Sequence, residues 1–311
     1  MNYMSKKISV FLLIGFITLA CSQESRVNVP GFPEMQGHYF GRTAPGIEPV
    51  PFPMDFLPET VYLHSAPAFT PDGNEVYFSV FIKNVFRGER IMYMKRNDNG
   101  RWTNPEMATF SGEYFEGGPC VTPDGNRIFY SSARPIASGG EEKEDRDIWY
   151  VDRTETGWSE PIRTNFNTGT WEDVPYVSEP GYLYYKSDND IYRVKMIDSG
   201  FSGPERLSNK INSEYGEQHP CIAPDESYMI FYSSRPGHLG DNNGDLYISF
   251  KNESGEWSEP VNMGPEINKG HVITRFPRLS PDGKYLFFSK VVSMYNDQIY
   301  WVDIRYIETL R

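Results

Sequence analysis

Apolar and polar positions alternate with a period of two in short runs, and the runs themselves repeat along the chain. APAFTPDGNEVYFS (66–79), GPCVTPDGNRIFYSS (118–132), HPCIAPDESYMIFYSS (219–234) and FPRLSPDGKYLFFS (276–289) share one order. An apolar-alternating strand leads into a Pro-Asp turn, and a strand dense in Tyr and Phe follows. A fifth copy, VPYVSEPGYLYYKS (174–187), lacks the Asp-Gly of the turn. Pro71 to Pro281 spans 210 residues in four steps, a period near 52. Asp-Gly between two such runs predicts a tight hairpin, because glycine accepts the positive φ the turn needs.

A third strand is predicted in every unit, at ERIMYMKR, RDIWYVDR, NDIYRVK, GDLYISFK and DQIYWVDI. RWTNPE, GWSEPI, FSGPER and EWSEPV mark a fourth. The fifth unit reaches Arg311 without one, and PGIEPVPFPMDFLP (45–58) parallels EWSEPVNMGPEIN (256–268), with Glu48-Pro49-Val50 over Glu259-Pro260-Val261. The N-terminal segment is therefore expected to complete the last blade. The fold class is all-β: a five-bladed β-propeller of four-stranded antiparallel blades, closed by the N-terminal strand. Residues 39–311 read as this single domain, and a ring that closes on itself reads as a monomer.

Composition agrees. Aromatics make up 15%, and 27 Gly with 24 Pro favour short strands and turns over helices. The net charge of −12 argues against a nucleic-acid partner. With three cysteines, a disulfide-built scaffold is excluded.

These units resemble the WD-repeat-like Pro-Asp repeats of TolB-type propellers over residues 45–303. FYSSRPGHLGDNNGDLYISFKNESGEWSEPVNMGPEIN (231–268) is similar to propellers that stand beside peptidoglycan-binding domains in bacterial envelope proteins. That resemblance implies the fold and an envelope setting. It spans scaffolds, periplasmic partners and some sugar-active enzymes, so it assigns no single activity.

The N-terminus fits that setting. Lys6 and Lys7 precede an apolar run, Ile8 to Ala20, too short to span a bilayer comfortably. Cys21 follows directly, and residues 1–21 resemble a bacterial lipoprotein signal in which Cys21 becomes the lipidated first residue. Thr18-Leu19-Ala20 also suits ordinary signal peptidase. Residues 22–38 are polar with Pro and Gly and read as a flexible tether, and Ser22 favours the outer membrane, on its periplasmic or surface side.

Period-two alternation sorts the innermost strands into faces. Phe69, Val121, Val177, Ile222 and Leu279 are expected in the inter-blade core. Ala68, Cys120, Tyr176, Cys221 and Arg278 are then expected toward the channel. His64, Glu116, Glu172, Glu217 and Thr274 would follow on that same face at its mouth. Carboxylates beside aromatic planes suit a sugar site, where paired acids protonate a leaving group and assist attack. Glu116, Glu172 and Glu217 would carry such catalysis, yet their recurrence at one repeat position points to a structural role between blades. Non-repeating residues make better binding candidates: His64, Trp171, Asp173, Tyr215, His219, Arg275 and Arg278.

Cys120 and Cys221 read as buried free thiols, and neither a metal site nor a cofactor is indicated. Asp241-Asn242-Asn243-Gly244-Asp245 has the oxygen-rich character of a calcium loop but reads as a polar turn. The expected function is that of a non-catalytic, lipid-anchored envelope propeller binding a protein or glycan partner on its channel-mouth face. The rival is a polysaccharide-active hydrolase or lyase using the mouth carboxylates.

Overall fold

The computed structural model describes residues 32–239, 244–268, 273–293 and 296–311. Cys21, the rest of the signal and Asp241–Asn243 of the polar loop lie outside these residues. Five antiparallel sheets form the blades of a propeller. The innermost strands of blades two to five are Glu116–Val121, Glu172–Val177, Glu217–Ile222 and Thr274–Leu279. In blade one, Val61–Leu63 and Ala68–Phe69 both pair with Glu75–Ile82.

Each blade buries both faces against its neighbours, giving a cluster at every inter-blade interface. Phe69, Val121, Val177, Ile222 and Leu279 pack into these clusters, as the alternation predicts. The Pro-Asp turns repeat one bonding pattern. Asp72 accepts from Thr70 and the Asn74 backbone, and Asp124 and Asp282 do the same with Thr122/Asn126 and Ser280/Lys284.

The ring closes through the N-terminal segment. Val50 and Pro51 pair with Trp301 and Tyr300, so Val50 sits opposite Trp301 as Val261 sits opposite Ile248 in blade four. The Phe52 amide donates to Ile299 O at 2.8 Å, and its ring lies 5.1 Å from both Phe287 and Trp301. Residues 32–38, from the stretch expected as tether, lie against blade one. Trp102 Nε1 donates to Gly37 O at 2.8 Å, Met35 is buried, and Phe32 packs edge-on against Phe56.

One feature breaks the period of two. In blades two to five the innermost strand carries a bulge at an X-Pro pair: Gly118-Pro119, Val174-Pro175, His219-Pro220 and Phe276-Pro277. Two residues there oppose one on the partner strand. The first of each pair is left-handed, with φ of 63°, 50°, 53° and 51°. Proline cannot donate to the ladder, and a bulge is where a strand tolerates it. Serines of the preceding blade brace two of the bulges, Ser79 Oγ accepting from Gly118 N and Ser131 Oγ from Val174 N.

Candidate functional site

The bulges decide which side chains reach the axis. Glu116, Glu172, Glu217 and Thr274 were expected to ring the channel mouth, but each is fully enclosed within its own blade. Glu116 Oε1 accepts from Ser132 Oγ and Arg134 Nη2, and Oε2 accepts from Gly112 N. Glu217 repeats this with Ser213, Ser233 and Arg235. Glu172 Oε1 gathers donors from Thr168, Thr170 and Ser187. These carboxylates tie the strand to the loop before it. The extra residue of the bulge changes the pleat phase, so the positions one residue later, Asp173 and Arg275, turn to the axis.

There all five blades meet in one polar cluster. Arg146, just before the third strand of blade two, bridges two carboxylates. Its Nη1 lies 2.8 Å from Glu89 Oε2 of blade one, and its Nη2 lies 2.9 Å from Asp173 Oδ2 of blade three. Its guanidinium sits 4.2 Å from the Phe115 ring centroid and 5.5 Å from that of Trp171. Trp171 Nε1 in turn donates to Asp173 at 3.2 Å. His64 Nε2 lies 3.6 Å from Glu89 Oε1, while Arg275 approaches His64 Nδ1 at 3.3 Å and pairs with Asp297. His219 of blade four packs against Phe276 with ring centroids 4.1 Å apart and tilted by 38°, and Phe276 also meets the His64 ring at 4.9 Å.

Five of the seven expected binding residues therefore converge: His64, Trp171, Asp173, His219 and Arg275. Tyr215 does not. It is exposed on a turn beside Arg206 and Asn209. Arg278 lies at the opposite end of the channel, next to the Pro-Asp turns. Glu89, Arg146 and Asp297 complete the cluster and went unrecognised in the sequence. A recurring acid at the start of the third strand (Glu89, Asp147, Asp190, Asp245, Asp297) was their only signal. Glu89 reaches Arg146 of blade two, whereas Asp147 pairs with Arg163, Asp190 with Arg206 and Asp297 with Arg275 inside their own blades. Cys120 and Cys221 are free, buried thiols, and burial pushes Cys221 up to about 12. No group of three metal-ligating side chains occurs among the described residues.

Enclosure sets the titration of this cluster. Burial, helped by the Arg275 charge, lowers His219 to about 3 and holds His64 well below the usual imidazole value. Burial raises Glu89 to about 7 against the pull of Arg146. The signs oppose one another. Below pH 6.5 the unfolded chain protonates both histidines and the folded one does not, so stability falls as pH falls toward 3. Glu89 protonates more readily in the fold, which favours the fold as pH drops from 7 toward 4.5. Burial raises Asp297 as well, so the two carboxyls offset part of the loss from the two rings, and the histidines set a net fall in stability from pH 6.5 toward 4.5. Urea unfolding of wild type at pH 4.5 and 6.5 measures that slope. His219→Asn, which tolerates the left-handed backbone without titrating, is expected to cancel most of it.

Fold and site together define a five-bladed propeller whose channel mouth is closed by a buried ionic cluster. No protein-family model and no curated protein matches the sequence. Solved structures do. The α-L-arabinofuranosidase of Lactobacillus brevis aligns at 14% identity, covering 79% of this chain and 92% of its own, with a TM-score of 0.49. The GH43 protein BlXynB of Bacillus licheniformis aligns at 12% identity, covering 80% of this chain and 56% of its own, at 0.50. A putative TolB of Agrobacterium tumefaciens aligns at 18%, covering 77% and 90%, at 0.35. At 12% identity the likeness to BlXynB shows the fold alone.

Proposed function

We propose that the protein is a non-catalytic binding propeller of the bacterial envelope, anchored through Cys21, that docks a partner protein on its channel-mouth face. The observation that carries this reading is the apolar edge that loops of blades one and two raise beside a closed polar centre. The loop before Glu89 presents Phe86 at 92% exposure with Val85 beside it, and the loop before Arg146 presents Ile136 at 65%. Arg87 joins the two loops by donating to Lys143 O at 2.8 Å. Large apolar side chains held out on rigid loops suit the centre of a protein interface. The axis beneath them is occupied by its own salt bridges, which favours docking over that edge.

A second reading rests on Glu89. A carboxyl poised near neutrality, coupled through Arg146 to Asp173 and flanked by Trp171, has the ingredients of a glycan-processing acid. Affinity capture from envelope extract, run beside a polysaccharide degradation screen, separates the two. The binding reading expects a protein captured by wild type and lost on Phe86→Asp, with no new reducing ends or unsaturated products. Turnover abolished by Glu89→Gln but untouched by Phe86→Asp would replace it with the second. For the anchor, Cys21→Ser is expected to release the chain from membranes, and equal partitioning of both forms would overturn lipidation.

A further inference from the structure

At the other end of the channel a cavity of about 140 Å³ opens among the Pro-Asp turns. The rings of Pro71, Pro123, Pro224 and Pro281 form its walls, with Tyr176 and Arg278 inside. Arg278 is 8% exposed. Its guanidinium lies 5.4 Å from the Tyr176 ring centroid and beside the Cys120 thiol, whose pKa burial raises and the nearby charge draws back.

No carboxylate pairs with Arg278 among the described residues. Elsewhere in the propeller the enclosed arginines have partners: Arg146 holds Glu89 and Asp173, Arg275 holds Asp297, Arg134 holds Glu116 and Arg235 holds Glu217, while Arg90, without an anion, donates to the carbonyls of Gly112, Arg87, Glu89 and Glu113. A guanidinium removed from water without a counter-charge is costly, and its planar fork of donors matches a carboxylate. The surrounding prolines and the Tyr176 ring offer apolar contact to whatever bears that charge. Glu179 lines the same cavity from an exposed position, where its negative charge opposes a second charge on the ligand.

We propose that this end of the channel binds a small monocarboxylate with an apolar body, Arg278 holding the carboxylate and the proline rings and Tyr176 holding the body. The site is separate from the protein-docking edge and stands or falls without it.

The test is ¹⁹F NMR titration of the whole chain with 4-fluorobenzoate, using its methyl ester as the neutral control and sulfate as a competitor. The expected result is saturable binding of the acid, none of the ester, and little displacement by equimolar sulfate. Arg278→Met is expected to weaken binding at least tenfold and, without ligand, to melt higher than wild type, since it removes an unpaired buried charge. Arg278→Lys keeps the charge without the fork and is expected to bind roughly tenfold more weakly, which serves the same purpose should the methionine variant not fold. Phe86→Asp is expected to bind like wild type. The proposal is overturned by no saturable binding up to tens of millimolar, by equal binding of the ester, by displacement at equimolar sulfate, or by undiminished binding in either Arg278 variant.

Discussion

Deletion of residues 39–58 is expected to turn a soluble ring into an aggregating one. The segment supplies Val50 and Pro51 to the edge of blade five, and without them the strand Asn296–Asp303 presents unpaired amides and carbonyls. It also removes Phe40, Phe52, Met54 and Phe56, all buried in the cluster between blades five and one. Each such side chain contributes about 1.5–3 kcal/mol on burial, so their joint loss approaches the whole stability of an ordinary domain. Phe52→Ala isolates one part of this effect. With its ring wedged between Phe287 and Trp301, truncation is expected to cost about 3–5 kcal/mol. Size-exclusion chromatography and thermal melting check both. A monomeric deletion variant with an unchanged melting temperature would mean that the ring does not depend on this closure.

Replacement of Arg146 by leucine is expected to be the most damaging single change at the polar mouth. The residue is 6% exposed and neutralises Glu89 and Asp173 together. Removing one partner of a buried pair leaves the other charge uncompensated, at a cost of about 3–5 kcal/mol. The loss carries a pH signature. With the guanidinium gone, the Glu89 carboxyl, already raised by burial, rises further, and Asp173 loses the charge that holds it below its ordinary value and rises with it. The folded variant then binds protons that the unfolded chain does not, and its stability recovers as pH falls from 8 toward 5. Arg146→Leu combined with Glu89→Gln and Asp173→Asn is expected to regain most of the loss at pH 8, because no charge is left unpaired. Additive destabilisation in that triple variant would show that Arg146 acts by packing on Phe115 and Trp171 instead.

The repeat made the blades legible from the sequence, since Pro-Asp turns and period-two strands recur at one spacing. Closure was legible too, because Glu48-Pro49-Val50 repeats the fourth-strand sequence of blade four. The faces of the innermost strands were legible only on the Pro-Asp side of each bulge. Val174-Pro175, His219-Pro220 and Phe276-Pro277 announce a bulge, but a strict period of two carries the pattern straight through them. That error placed Glu116, Glu172 and Glu217 on the axis, whereas Arg278, beyond the bulge, faces the channel as the alternation expects. Glu89 and Arg146 escaped notice for a different reason. They begin or precede third strands in different blades, and only the curvature of the ring brings them to Asp173.

The central claim, docking of a protein on the apolar edge, is tested most directly by a photo-crosslinking amino acid placed at Phe86. A control at Glu253, exposed on a turn at the opposite face, guards against adventitious contact. Irradiation in envelope extract is predicted to yield one discrete adduct from position 86, lost when Ile136→Asp is added, and none from position 253. Adducts of equal yield and pattern at both positions, or none at position 86 while polysaccharide is turned over, would contradict it.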